Sequence, residues 1–348
     1  MTKKNRIAVI GASGYAGAEL VRLIAGHPQV SLNLLTSRQY AGKSYAAVFP
    51  SLIGCIDLQC ELFSSPESIQ KADIFFLALP HKASMSVAAP LINAGKKVID
   101  LSADFRFNHL DQYETYYQPH EEPELLKQSV YGLCEFYKDQ ISSAQLIGNP
   151  GCYPTSILLP LMPLLKEQLI EPIGIIADSK SGVSGAGRSP SLGTHYCEVN
   201  EGFKAYKIAE HRHAPEMNEN LSIAAGTDVH ILFVPHLVPM TRGIVSTLYV
   251  RCCPNIDEMK IIDCLSSTYE NSPFIRVLPK GLFPDASHVR GTNYCDIGVK
   301  YLADQNSCVI VSAIDNLIKG AAGQAIQNMN IMMGFSETDG IDMIPFPV

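Results

Sequence analysis

The chain has 348 residues, a formal net charge of −7 and 47% hydrophobic residues, so it is long enough for two domains with a large apolar core. The acidic balance argues against nucleic-acid binding, and no apolar stretch reaches the roughly 18 residues of a membrane span. The ten cysteines include no C-x-x-C pair, which favours a reduced cytoplasmic chain over a disulfide framework or a metal site.

Short apolar runs alternate with helical segments through the first hundred residues. We predict strands at residues 6–10, 31–35, 73–79 and 97–101, and a first helix at residues 16–25. This alternation is typical of an α/β domain with a parallel sheet covered on both faces.

The remainder of the chain has a different pattern. Residues 105–145 are rich in Tyr, Glu, Gln and Pro and predict irregular surface with short helices. Later apolar runs predict a second, partly antiparallel sheet, from strands at residues 146–147, 173–177, 229–234, 243–250, 274–277, 297–299 and 309–314. Residues 316–333 then show the apolar spacing of a helix.

A glycine-rich turn directly follows the first predicted strand and opens the first helix. It runs Gly11, Ala12, Ser13, Gly14, Tyr15, Ala16, Gly17. Glycines let a backbone approach a pyrophosphate, and the helix N-terminus supplies N–H groups and a positive dipole. The spacing G-x-x-G-x-x-G is a variant of the usual dinucleotide motif, and a tight strand–helix turn without a ligand is the alternative.

The residues after the second strand indicate which dinucleotide would bind. An acidic residue usually meets a free ribose hydroxyl at this position. This chain has Ser37 and Arg38 instead, and a hydroxyl with a guanidinium suits the 2′-phosphate of NADP. An exposed polar loop is the alternative.

Cys152 is the strongest candidate for a nucleophile. It lies in the segment from Asn149 to Thr155, after a tight turn and two residues before Pro154, which suits the start of a helix. A helix N-terminus stabilises a thiolate and offers N–H groups to a developing oxyanion. The alternative is a buried structural cysteine.

A candidate base lies in the segment His211, Arg212, His213, Ala214, Pro215, Glu216. A histidine transfers protons near neutral pH, and Glu216 could orient it. A metal pair would need a third ligand at a usual spacing, and a solvated polar turn also fits the pattern. From the residues alone, His211 and His213 remain equal candidates.

Four arginines could hold an anionic substrate. They are Arg106, Arg188, Arg212 and Arg242. Arg188 ends a Ser/Gly-rich loop that begins at Ser181, and backbone N–H groups in such a loop can bind phosphate. Any one of these arginines could equally be a surface or ion-pair residue.

Several long blocks in order resemble the N-acetyl-γ-glutamyl-phosphate reductase family, within the aspartate-semialdehyde dehydrogenase-like superfamily. The resemblance runs nearly end to end and is carried by GASGYAGAEL (11–20), DLSADFR (100–106), GNPGCYPT (148–155), SGVSGAGR (181–188), HRHAPE (211–216), PHLVPMTRG (235–243) and DNLIKGAAGQAIQNMN (315–330).

The resemblance implies a fold and a domain division. It implies a Rossmann-type dinucleotide-binding domain made of residues 1–150 with 315–348. A second, α+β domain of residues 151–314 would carry catalysis and subunit contacts, in a homodimer or homotetramer.

The resemblance also implies roles for individual residues. Cys152 would accept the acyl group and His213, assisted by Glu216, would be the acid and base. Arg106 would lead phosphate binding, with Ser181, Arg188 and Arg212 also contacting the substrate. NADP(H) would be held by Gly11, Ser13, Gly14, Tyr15, Ala16, Gly17, Ser37, Arg38 and Asn316.

The function expected from this resemblance is NADPH-dependent reduction of N-acetylglutamyl phosphate through a thioester, in arginine biosynthesis. The same chemistry on aspartyl or aminoadipyl phosphate is one alternative. An NADP-binding regulatory protein and a thiol hydrolase are alternatives from other classes. No metal, nucleic acid or membrane partner is expected.

Overall fold

The computed structural model describes residues 4–347 and divides the chain into two compact units. The first unit comprises Met1–Pro150 and Ala321–Asp342, and the second comprises Gly151–Gly320 and Met343–Val348. The sequence predicted a return to the first domain at residue 315 that lasts to the end of the chain. The structure puts this return at Ala321 instead and groups Met343–Val348 with the second unit.

The first unit, over its described residues, is built on a seven-stranded sheet in which every pairing is parallel. Its strands are β1 Asn5–Ile10, β2 Val30–Thr36, β3 Cys60–Glu61, β4 Ile74–Leu77, β5 Lys97–Asp100, β6 Val130–Tyr131 and β7 Leu146–Gly148. The order β3-β2-β1-β4-β5-β7-β6 reverses direction between β1 and β4. Ligands of such sheets bind beyond the carboxyl ends of the strands at this reversal.

One strand was predicted in the wrong sheet. The run at residues 146–147 was expected in the second sheet, but β7 pairs in parallel with β5 and β6 in the first. A short apolar run does not encode its partner, and β6, with two residues, gave no pattern to detect.

Helices connect the strands of the first unit and cover its sheet. They are α1 Tyr15–Ala25, α2 Tyr45–Val48, α3 Glu67–Lys71, α4 Met85–Asn93, α5 Leu110–Tyr116, α6 Pro123–Gln128 and α7 Cys134–Ser143. Phe75 and Leu77 of β4 share a buried cluster with Met85 and Leu91 of α4, which explains why β4 reads as a continuous apolar run.

The second unit, over its described residues, contains a seven-stranded mixed sheet. Its strands are β8 Ile176–Ser181, β9 Lys204–Ala205, β10 Leu232–Leu237, β11 Ile244–Arg251, β12 Ile275–Val277, β13 Cys295–Leu302 and β14 Ser307–Ile314. The order is β12-β13-β14-β11-β8-β10-β9. The β8–β10 and β12–β13 pairs are parallel and the others antiparallel, which confirms the predicted mixed sheet.

The helices of the second unit are α8 Cys152–Lys166, α9 Tyr196–Val199, α10 Ala214–Ala225 and α11 Glu258–Thr268. The almost wholly buried α8 packs against β11, β14 and α10. It contains two internal prolines, Pro160 and Pro163, which remove the N–H donors for two carbonyls one turn earlier. Hydroxyl groups replace them, because Ser312 Oγ donates to the Ser156 carbonyl and Tyr269 to that of Leu159.

The opposite face of this sheet is open within one chain. Alternate residues of β8 are buried, whereas those between them are more exposed. Ile176 pairs with Leu232 on one side and Tyr249 on the other, and each of the three is more than a third exposed. The register therefore places an apolar row across the open face.

The chain leaves the second unit through a π-helical turn, Ile318–Ala322, and continues as α12 Gly323–Met333. In the first unit α12 packs against α1, α7 and β5. Asn328 Nδ2 donates to the Gly132 carbonyl at 2.8 Å and to Asn149 Oδ1 at 3.1 Å. Among residues 4–347, no helix is long and apolar enough to cross a membrane.

Candidate active site

Cys152 is the first residue of α8, and Gly151 is the N-cap. The N–H groups of a first helical turn have no carbonyl one turn earlier to bind, and the helix dipole is positive there. Pro154 is the third helical residue rather than the first, a position that also needs no donor. The local structure therefore favours a thiolate at Cys152 and an oxyanion beside it.

Glu216 fixes the residue immediately before the thiol. Its carboxylate is fully buried, and Oε1 accepts the Gly151 N–H at 2.8 Å. The sequence predicted that Glu216 would orient a histidine. The contact with Gly151 anchors the N-cap of α8, so Glu216 sets where the helix begins.

His213 lies against the same N-cap. A Cβ added to Gly151 would be only 2.6 Å from His213 Nε2, so only glycine allows the imidazole to approach this closely. His213 is also the N-cap of α10, which carries Glu216 in its first turn. One helix start therefore brings the imidazole and the carboxylate to the residue before Cys152.

His211 occupies a different environment. Its Nδ1 accepts the His213 backbone N–H at 3.1 Å, and its ring contacts those of Tyr153, Tyr206 and Phe233. Burial lowers the pKa of His211 to about 4, aided by nearby cations. It therefore stays neutral near pH 7, and the geometry favours His213 as the base.

Sequence reasoning missed two features around the thiol. A Cβ on Gly320 would be 2.7 Å from the Cys152 Cβ, so only glycine allows this backbone to lie so close to Cys152. The hydroxyl groups of Tyr153 and Tyr206 form a hydrogen bond of 2.9 Å. Burial raises the pKa of Tyr206 to about 12. A glycine inside an otherwise helical pattern was the available signal for Gly320.

Backbone hydrogen bonds occupy the N–H groups at the start of the Ser/Gly-rich loop. The N–H groups of Gly182, Val183 and Ser184 donate to the carbonyls of residues 243, 240 and 241. These three groups are therefore engaged with protein rather than available to a phosphate. Ser181 is buried, and its hydroxyl donates to the Gly182 carbonyl at 3.0 Å.

The predicted arginines of the second unit differ in setting. Arg188 is half-buried at the end of the loop, whereas Arg212 is exposed between the two histidines. Arg242 lies 3.5 Å from the buried carboxylate of Asp315, and is thus part of an ion pair.

Asn316, predicted to line the nicotinamide, makes two contacts within the second unit. Its Oδ1 accepts the Gly243 N–H at 2.8 Å, and its Nδ2 donates to Ser184 Oγ at 3.0 Å. Both ends of the buried amide are engaged, and this side chain ties two loops of the unit together.

In the first unit, the predicted glycine turn has the form of a nucleotide cradle. A Cβ on Gly11 would be 2.3 Å from the Ala78 carbonyl oxygen, and one on Gly17 would be 2.4 Å from that of Gly11. Gly14 differs, because its nearest neighbour would be 3.8 Å away. It caps α1 without a side-chain hydrogen bond, and the N–H groups of a helix start preceded by glycine suit a pyrophosphate.

The end of β2 completes this cradle. Ser13 and Ser37 share a hydrogen bond at 2.9 Å between their hydroxyls. Arg38 is exposed, and over residues 4–347 its side chain has no hydrogen bond or ion pair. A serine and an uncommitted guanidinium fit a ribose phosphate.

Arg106 donates hydrogen bonds to two backbone carbonyls. It is buried, Nε donates to the Asn149 carbonyl at 2.7 Å, and Nη2 donates to that of Leu101 at 2.8 Å. These contacts hold the chain just before the residues that lead to Cys152. Nearby, burial and the charge of Asp104 raise the pKa of Asp100 to about 7.

Comparisons with known proteins agree with this division of the chain. Residues 6–144 match the semialdehyde dehydrogenase NAD binding domain, and residues 152–316 match the semialdehyde dehydrogenase dimerisation domain. These matches confirm the predicted nucleotide-binding first domain and α/β fold class.

Solved structures show the same fold. An aspartate semialdehyde dehydrogenase II from Vibrio cholerae superposes with a TM-score of 0.73 at 17% identity, covering 96% of this chain and 99% of that one. An enzyme of this name from Candida albicans, solved with NADP, has a TM-score of 0.69 at 16% identity, covering 95% and 99%.

Curated relatives are much closer in sequence. The N-acetyl-gamma-glutamyl-phosphate reductase of Desulforapulum autotrophicum is 54% identical, and that of Geobacter metallireducens 53%. Each match covers 98% of this chain and 99% of the relative. At this identity over almost the whole length, with the thiol, histidine and glycine turn arranged as described, the chain belongs to the N-acetyl-gamma-glutamyl-phosphate reductase family.

Proposed function

We propose that this enzyme reduces N-acetylglutamyl phosphate to N-acetylglutamate semialdehyde and phosphate, through a thioester on Cys152. One observation supports the chemistry above all others. The imidazole of His213 and the carboxylate of Glu216 both contact Gly151, so base and anchor meet beside a thiol at a helix N-terminus. The names of the curated relatives support the substrate.

The first half-reaction is acyl transfer. His213 accepts the thiol proton, the sulfur attacks the acyl carbonyl, and the C–O bond to phosphate breaks. The N–H groups at the start of α8 stabilise the tetrahedral oxyanion. Glu216 contributes by holding Gly151, because a small shift of the helix start would move these donors away from the developing charge.

The second half-reaction is reduction of the thioester. When bound, the nicotinamide cofactor supplies the hydride that turns the thioester into a thiohemiacetal. The donors at the start of α8 again stabilise the oxyanion. On collapse to the aldehyde the C–S bond breaks, and His213 returns a proton to the sulfur of Cys152.

The first unit supports NADPH as the cofactor. Gly11, Ser13, Gly14, Tyr15, Ala16 and Gly17 would hold the pyrophosphate. The hydroxyl of Ser37 and the guanidinium of Arg38 would hold the 2′-phosphate, a charge-assisted contact that NADH cannot make. For Asn316 we propose an indirect part, because its amide already binds two protein groups.

Substrate anions require cationic partners. We assign the half-buried Arg188 and the exposed Arg212 to the substrate carboxylate or phosphate. Arg106 would lead phosphate binding, with its guanidinium held in place by the Asn149 and Leu101 carbonyls. Ser181 would support the loop that carries Arg188.

The open face of the second sheet supports a homodimer, or a homotetramer built from it. This unit matches a dimerisation domain, and the row of Ile176, Leu232 and Tyr249 would be covered by the same row of another copy. Equilibrium sedimentation of a Tyr249→Glu variant should show monomers, whereas an unchanged mass would contradict this assignment. We place the enzyme in the cytoplasm, where reducing conditions preserve the thiol.

The reverse reaction tests the proposed function directly. NADP reduction is measured with N-acetylglutamate semialdehyde, with and without phosphate, in wild type and Cys152→Ser. We expect activity that requires phosphate and falls by about 10⁴-fold in the variant. Full activity in the variant would refute the thioester.

Two matched arms address the alternatives. Assays with aspartate and aminoadipate semialdehydes would reveal the same chemistry on another substrate if either is preferred. NADPH binding without turnover on any of the three would favour a regulatory protein, and hydrolysis indifferent to NADPH would favour a thiol hydrolase.

A further inference from the structure

We infer that the turn from Asp315 to Gly320 positions the nucleophile, with Gly320 as the close backbone contact that sets where Cys152 lies. This inference goes beyond the reaction itself and rests on the proposed role of Cys152 as the nucleophile. It assigns a function to a segment that contains neither the thiol nor its base.

The contact with the thiol residue is close. A Cβ on Gly320 would lie 2.7 Å from the Cys152 Cβ and 3.2 Å from its Cα, with Ile314 Cδ1 at 3.3 Å. Real Cβ atoms do not approach another carbon at 2.7 Å, so any larger residue must displace Cys152 or the turn. The Cβ and Cα of Cys152 are fixed by the backbone, so the clash is relieved only if the turn or the first residue of the buried α8 shifts.

The turn is held rigidly. Asp315 is fully buried, and its Oδ1 accepts the N–H groups of Leu317 at 2.8 Å and Ile318 at 3.2 Å. Its other oxygen accepts the Gly291 N–H at 2.8 Å, and its backbone carbonyl accepts the Gly320 N–H at 3.0 Å. One residue therefore fixes both the start of the turn and the glycine at its end.

A buried lysine in the turn provides a second anchor for this segment. Lys319 is fully buried, with Nζ 5.7 Å from the centre of the Phe274 ring, a cation–π contact. The segment Ile318–Ala322 is a single π-helical turn, and such turns occur frequently at functional sites. The π-turn therefore presents the Gly320 backbone, rather than a side chain, to the thiol residue.

The test is the rate of iodoacetamide alkylation at each cysteine of the intact enzyme, read by peptide mass spectrometry. In Gly320→Ala we expect alkylation of Cys152 and kcat to fall together by about a hundredfold, since a shift near 1 Å has this cost. Exposed Cys197 should react as in wild type, and buried Cys252 and Cys295 should stay protected. Gly193→Ala is the matched control, because a Cβ there meets nothing within 4 Å.

Two outcomes would overturn the inference. One is a folded Gly320→Ala enzyme whose Cys152 is alkylated at the wild-type rate. If the buried cysteines of that variant become reactive, the variant has not folded correctly. The Asp315→Asn variant then tests the inference, since it keeps the side-chain volume but weakens the acceptor of the Leu317 and Ile318 N–H groups. There we expect alkylation of Cys152 to slow by roughly threefold to tenfold, and an unchanged rate refutes the inference.

Failure of the proposed function would look different. In that case Cys152→Ser retains turnover, while the alkylation rates of Cys152 in wild type and Gly320→Ala still report on positioning. The two results are therefore independent.

Discussion

Glycine serves opposite purposes at Gly14 of the first unit and around Cys152 of the second. Around Gly14 in the first unit the nearest atom to an added Cβ is 3.8 Å away, so the glycine leaves space. At Gly151 and Gly320 in the second unit an added Cβ would be 2.6 and 2.7 Å from His213 and Cys152. A binding surface keeps room for a partner that arrives, whereas a nucleophilic site uses glycine to bring its own parts into contact.

The largest effect should separate the two histidines of the second unit. His213→Asn is expected to lower kcat/KM by about 10²–10⁴-fold, as for loss of an acid–base group. His211→Asn should cost less than about tenfold, because an amide oxygen can still accept the His213 N–H. Rates from pH 5 to 9 measure both, and a larger loss in His211→Asn would reverse the assignment.

Substituting two glycines of the first unit should have different effects on cofactor binding and on stability. Gly14→Ala leaves the fold intact but fills the cradle, so we expect the KM for NADPH to rise by about tenfold or more with Tm unchanged. Gly17→Ala pushes a Cβ to 2.4 Å from the Gly11 carbonyl oxygen and should lower Tm. Equal Tm losses in the two variants would show that Gly14 is merely structural.

Cofactor choice should depend on Arg38. Arg38→Gln removes a charge-assisted contact, which corresponds to a roughly tenfold to hundredfold weaker affinity for NADPH. Affinity for NADH should stay the same, and the exposed Arg290→Gln is the control. Titration of protein fluorescence with each dinucleotide measures the change, and an equal loss for both would contradict a 2′-phosphate contact.

The smallest effect on turnover is expected at Asp100, where stability should change instead. Because the folded pKa of about 7 lies above the unfolded value near 3.9, the protonated carboxyl is favoured in the folded state. Its stabilising contribution is complete below pH 4 and is lost as the pH rises through 7. Wild type should lose about 1–3 kcal/mol between pH 5 and 8 relative to Asp100→Asn. Urea unfolding across this range measures the difference, and parallel curves would show that Asp100 is ionised throughout.

Predictions from the sequence located features correctly where the pattern lay within one short segment. The glycine turn after β1, the Ser37–Arg38 pair after β2 and Cys152 at the start of α8 all follow from neighbours in the chain. The longer strands were also predicted close to their positions, although β8 and β10 each begin three residues after the predicted start, and the two-residue strands β3, β6 and β9 were not predicted.

Contacts between segments that are distant in the chain could not be predicted from such local patterns. One partner of Glu216 is a backbone N–H 65 residues earlier, and the sequence gives no sign that this carboxylate binds a peptide group. The pairing of β7 with β5 was missed for the same reason, since its apolar residues suit either sheet.

The sequence by itself identified the glycine turn after β1, the candidate nucleophile and the pair of candidate bases, because each depends on residues adjacent in the chain. Only the tertiary structure distinguished the surroundings of His211 and His213, since burial and packing against Gly151 come from contacts across the unit. It alone revealed Gly320 beside Cys152. Close approach between two backbone segments arises only in the folded chain, and a glycine has no side chain from which its partner could be predicted.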